Sequence, residues 1–127
     1  MIALDRIDHF VLTVRDIEVT CAFYQRVLGM EVVRWGAGRV ALRFGRQKIN
    51  LHPVDNPITL KADRPLPGSA DFCFIATTPI AEVVAHLAQC GVTIIEGPSE
   101  RAGAMGPIES VYFRDPDLNL VEVSNYR

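Results

Sequence analysis

The chain has 127 residues, 49% of them hydrophobic and 22% charged, which suits a soluble domain with one buried core. Its net charge of −2, without any block of like charge, argues against nucleic acid as the main partner. No apolar run approaches the ~18 residues of a membrane helix, no basic-then-apolar leader opens the chain, and Cys21, Cys73 and Cys90 form no CxxC pair. A cytoplasmic protein with reduced thiols and no membrane partner is therefore expected.

In chain order, "RIDHFVLTV" alternates apolar and polar or small residues from Ile7 onward and reads as a half-buried strand carrying His9 near its start. Asp16 is a good N-cap for a helix whose Ile17, Cys21, Tyr24 and Leu28 recur at three- and four-residue spacing, and Gly29 suits its C-terminal stop. Three strands follow, "MEVVRW", "RVALRFG" and "KINLHPV". The proline-rich, polar stretch 55–69 reads as a linker. A second strand–helix pair then begins, "SADFCFIAT" with Asp71, and a helix after Thr78 with Pro79 at its first position, running through Val83, Val84 and Leu87 to Gly91. Its strands are "VTIIEG", "ESVYFRD" and "LNLVEVSN", the last two joined by the turn "RDPDLN".

These two halves are one pattern written twice. Shifting the chain by 62 lays residues 9–33 on 71–95 without a gap: Phe10 meets Phe72, Leu12 meets Phe74, Ala22 meets Val84, and Gly29 meets Gly91. The expected architecture is α+β, two tandem βαβββ modules in a single domain spanning 1–127, with module 1 at about 4–54, the linker at 55–69 and module 2 at about 70–127. Strand parity then sorts the side chains. Phe10, Leu12 and Val14 share the face a helix would cover, and His9, Val11 and Thr13 share the other. The second face recurs as a mixed one at Arg43, Asn50 and His52, at Asp71 and Cys73, and at Tyr112, Glu122 and Ser124. Ordinary solvent exposure is one reading of it. If both sheets curve with these faces inward, His9, His52, Asp71 and Glu122 converge on one cavity.

The duplicated unit, together with "DHFVLTVRDIEVTCAFYQRVLGM", "FGRQKINLHPV" and "GPSERAGAMGPIESVYFRDPDLNLVEVSNY", resembles the vicinal oxygen chelate superfamily, which includes glyoxalase I, extradiol dioxygenases and bleomycin resistance proteins. The resemblance is nearest to its small single-domain glyoxalase-like members. Leu118 replaces the usual glycine of "DPDGN". The resemblance implies curved mixed sheets around a cavity holding one divalent metal (Ni, Zn, Fe or Mn). His9 and Glu122 match ligand positions, and Asp71 stands where glyoxalase I has histidine, as a ligand or a free base. Alignment on "QKI" puts Asn50 in the remaining slot; His52, two residues on, is preferred because imidazole binds such metals better than an amide does. The implied activity is a glyoxalase-I-like lyase or isomerase acting on a small substrate, with Glu122 and Asp71 handling the proton and glutathione or another thiol as candidate co-substrate. One alternative is an extradiol-type dioxygenase with Fe(II) on His9, His52 and Glu122; another is a resistance protein that sequesters its ligand without chemistry. Arg43 and Tyr112 are candidates for holding substrate, and a homodimer is expected.

Overall fold

The structure, a computed structural model, describes all 127 residues. It divides into two compact units, Met1–Pro67 and Gly68–Arg127, the boundary falling inside the segment read as a linker. Each unit is a four-stranded mixed sheet with one helix.

Unit 1 comprises β1 (His9–Val14), α1 (Ile17–Leu28), β2 (Glu31–Trp35), β3 (Arg39–Phe44) and β4 (Gln47–Pro53), with sheet order β1-β4-β3-β2. The α1 N-terminus is capped as its sequence implies, Asp16 Oδ1 accepting from the Val19 N–H at 3.0 Å. Gly29, at φ 65°, ends the helix by turning its N–H back to the Gln25 carbonyl. Tyr24 and Val27 of α1 are buried, as are Leu12, Val14, Leu42, Ile49 and Leu51 of the sheet. This is the face that parity assigned to the helix.

Unit 2 repeats the plan with β5 (Asp71–Ile75), α2 (Ile80–Gln89), β6 (Glu96–Gly103), β7 (Gly106–Arg114) and β8 (Leu120–Tyr126), in the order β5-β8-β7-β6. Val83, Leu87, Val111, Phe113, Val121 and Val123 are buried. Two local expectations give way here. Pro79 is the N-cap rather than the first helical residue, and α2 closes at Cys90, one residue before Gly91. "VTIIEG" is a strand only in its last two residues, because the ladder with β7 begins at Glu96 and is interrupted by an irregularity between Glu96 and Ser99. Residues 92–95 form instead a connection out of the helix, tied to β7 by the Ile95 N–H, which donates to the Tyr112 carbonyl at 2.9 Å.

The β7–β8 turn is built around a buried carboxylate. Asp115 Oδ1 accepts from the backbone N–H groups of Asp117 and Asn119, and Oδ2 from the Asn119 side chain at 2.8 Å. Between them Leu118 is held at φ 69°, the one non-glycine residue with positive φ. A Cβ disfavours that conformation by ~1–2 kcal/mol, and Leu118 is 65% exposed, so no burial offsets the strain. Leu118→Gly should therefore raise stability by about 0.5–1 kcal/mol, after allowing for the greater entropy of unfolded glycine. Urea unfolding of the two proteins checks it; a less stable glycine variant would show that the turn carries no strain.

Candidate functional site

In each unit the face away from the helix, called here the open face, is arranged by one parallel strand pair. β1 runs beside β4 with His9 opposite Lys48, Val11 opposite Asn50 and Thr13 opposite His52. β5 runs beside β8 with Asp71 opposite Leu120 and Cys73 opposite Glu122. Residues directly opposite point to the same face, so both units place a polar residue at the head of the first strand and another two residues further along its neighbour. His9 with Asn50 is thus the counterpart of Asp71 with Glu122.

By this register Asn50 lies two residues along the strands from His9 and His52 four, the latter about 13 Å away at ~3.3 Å per residue. Asn50, not His52, holds the position in unit 1 equivalent to Glu122 in unit 2. Within each unit no group of three or more His, Cys, Asp or Glu side chains is close enough to hold a metal ion.

The two histidines also differ in tautomer. His9 Nδ1 lies 2.8 Å from Asp8 Oδ2. The ring thus donates through Nδ1, which leaves the Nε2 lone pair free; the same hydrogen bond holds the Asp8 carboxyl below its ordinary range. At His52 the order reverses. Asn56 Oδ1 accepts from the Ile58 N–H, which turns the Asn56 amide N–H toward His52 Nδ1 at 2.9 Å. The neutral ring therefore carries its proton on Nε2. Burial, then the charges of Arg39 and Lys61, push the His52 pKa down.

Glu122 is fixed by a chain of hydroxyls. Ser110 Oγ donates to Glu122 Oε2 at 2.6 Å, the Ser110 and Ser124 hydroxyls are 2.6 Å apart, and Cys73 Sγ is 3.2 Å from Ser124 Oγ. One proton per group satisfies the series when Cys73 donates to Ser124, Ser124 to Ser110 and Ser110 to Glu122. Tyr112, directly opposite Glu122, accepts from Arg101 Nε at 3.1 Å. Desolvation, opposed by the Arg101 hydrogen bond, raises the Tyr112 pKa. Asp71 is exposed and has no hydrogen bond or ion pair of its own. Arg43 is committed to Glu31 opposite it, so the substrate-anion role expected of it competes with an existing ion pair.

Asp8, Ser110 and Lys48 escaped the reading of the sequence. Parity alone would have placed Ser110 beside Tyr112 on the open face, whereas the Asp8–His9 contact lies between sequence neighbours outside the strand alternation. Desolvation and the Glu122 carboxylate raise the Cys73 pKa, partly offset by the Ser124 hydrogen bond. Removing that charge in Glu122→Gln should lower the thiol pKa and speed alkylation of Cys73 by iodoacetamide at pH 8 about two- to five-fold. An unchanged rate, measured by intact mass with Cys21 and Cys90 replaced by serine, would show that the carboxylate does not act on the sulfur.

The model of the Glyoxalase/Bleomycin resistance protein/Dioxygenase superfamily matches residues 6–123. The chain is 56% identical to Virulence protein STM3117 of Salmonella typhimurium over 97% of its own length and 85% of that protein. The crystal structure of that relative superposes with a TM-score of 0.97 at 55% identity, covering 99% of this chain and 100% of the other. Glyoxalase domain-containing protein RDO1 of Mycosarcoma maydis is 50% identical over 95% of this chain and 68% of its own. Lactoylglutathione lyase from Agrobacterium tumefaciens has a TM-score of 0.73 at 28% identity, with 96% and 94% of the two chains covered. With the two βαβββ units and this match over nearly its whole length, the chain belongs to the Glyoxalase/Bleomycin resistance protein/Dioxygenase superfamily.

Proposed function

We propose that the protein is a metal-dependent lyase or isomerase of the glyoxalase I kind, acting on a small molecule with two neighbouring oxygens. The observation that carries this reading is His9, whose Nδ1 is tied to Asp8 and whose Nε2 lone pair is free. Its counterpart Asp71 is an unpaired carboxylate at the head of the equivalent strand, and Glu122 is an oriented carboxylate two residues along the neighbouring one. An imidazole and carboxylates are a fitting donor set for Ni, Zn, Fe or Mn. His9 and Glu122 are the residues proposed to hold the ion, and a divalent cation bound there would supply Lewis acidity to two adjacent substrate oxygens.

The remaining chemistry belongs to the chain. Asp8 sets the ring orientation of His9, and the Ser110 and Ser124 hydroxyls hold Glu122 so that it does not swing on binding. Asp71, free of partners, takes the proton from the carbon next to a substrate carbonyl and returns it to the neighbouring carbon. Glutathione or another thiol is the candidate co-substrate, forming a hemithioacetal with an aldehyde. A second reading, ligand sequestration without chemistry, draws support from Asn50, a neutral amide in the slot that unit 2 fills with Glu122.

Metal analysis of protein purified without chelators separates the two. About one divalent ion per chain is expected, lost in His9→Ala and in Glu122→Ala, with Asp8→Asn weakening affinity about 10–100-fold. Full occupancy in both alanine variants would refute the ligand assignment. Asp71→Asn is expected to keep the metal and lose most turnover of a hemithioacetal; full turnover would leave proton transfer to Glu122 alone. We also propose a homodimer, because β1, β2, β5 and β6 are all edges of their sheets. Sedimentation at micromolar concentration should give twice 14.1 kDa, and a 14.1 kDa species alone overturns it.

A further inference from the structure

The open face of unit 1 carries more positive charge than its own acids answer. Across the sheet, register aligns three rows: Glu31, Arg43, Lys48 and His9; then Val33, Ala41, Asn50 and Val11; then Trp35 with Arg39, and His52 with Thr13. Arg43 is neutralised by Glu31. Arg39 has no acid partner, and Lys48 feels only the nearby Asp8 carboxylate without forming an ion pair with it. Both turn to the indole of Trp35, the Arg39 guanidinium carbon 5.3 Å and Lys48 Nζ 4.1 Å from the ring centroid. Neither side chain makes a hydrogen bond or an ion pair.

Lys48 on β4 and Trp35 on β2 stand in the first and third rows, so their contact crosses the middle row at Ala41 on β3, beside Asn50. Asn50 is 94% buried by its 6% exposure, and its Oδ1 is a buried acceptor with no donor. Such an atom costs ~1–3 kcal/mol left unmet, and its place beside two cations without ion pairs points to a ligand that brings both a negative charge and a donor. Val11, 45% exposed and directly opposite Asn50, adds an apolar contact.

We propose that this face is a subsite for a small organic acid with a hydroxyl beside its carboxylate and an apolar remainder. Lys48 and Arg39 take the carboxylate, the hydroxyl donates to Asn50 Oδ1, and Val11 meets the apolar part. Lys48 exchanges its indole contact for the ion pair. The assignment rests on the reading of the open face as the ligand side, but it needs no metal.

Trp35 is the only tryptophan, so its fluorescence reports this site alone. Chelator-treated protein is titrated with mandelate, with its neutral methyl ester, and with phenylacetate, which lacks the hydroxyl. Mandelate should give a saturable change in the millimolar range, with the ester about ten-fold weaker and phenylacetate about three- to ten-fold weaker. Lys48→Met should bring mandelate down to the ester's affinity, and Asn50→Leu should abolish the preference for mandelate over phenylacetate. A flat titration, equal affinities for acid and ester, or a Lys48→Met variant that binds like the parent overturns the proposal. Since the metal is absent throughout, this failure is distinct from failure of the metal analysis. Circular dichroism of both variants confirms that they are folded.

Discussion

Everything on the open faces depends on the parallel pairing of the first and last strand of each unit. β1 and β4, like β5 and β8, are brought side by side by a path that runs through a helix and two intervening strands. Slanted parallel hydrogen bonds lock one register, and a slip of a single residue would turn every side chain to the opposite face. Because Val14, Leu12, Ile49 and Leu51 must all reach the core under α1, that slip is forbidden energetically. The positions of His9 against Asn50 and of Asp71 against Glu122 are a by-product of burying the other side.

The same device delivers different chemistry in the two units. On unit 2 the open face is a connected set of donors and acceptors, in which Ser110, Ser124 and Cys73 refer back to Glu122. An acceptor held by several donors is pre-organised and resists reorientation. On unit 1 the open face is unfinished, with an orphaned amide oxygen at Asn50 and two cations stacked on one ring. A duplicated fold thus keeps its geometry while its donor types diverge, as Asn50 and Glu122 illustrate. The fold is shared with the lactoylglutathione lyase at a TM-score of 0.73.

Where the sequence was silent, the reason is identifiable. The β6 start was misplaced because "VTII" has every local mark of a strand, yet only Ile95 bonds to β7 before the ladder begins at Glu96. The preference for His52 over Asn50 rested on ligand chemistry, whereas the register makes Asn50 the counterpart of Glu122. The Leu118 turn went the other way: its odd residue was visible against the expected glycine, and its φ of 69° carries the strain that the substitution implies.

The sequence by itself determined the repeat, the element order, the Gly29 stop of α1 and which face each strand residue occupies, because alternation, capping and glycine conformation are properties of a few neighbouring residues. It also singled out His9, Asp71 and Glu122 through their matching places in the two copies. Only the tertiary structure decided which residues stand opposite one another, which ring nitrogen of His9 and of His52 keeps its lone pair, and which charges find partners. Those depend on groups distant in the chain, Asn56 against His52 or Ser110 against Glu122, whose separation no local pattern encodes. Proton placement and register are collective properties, settled when the strands pair and the core closes beneath them.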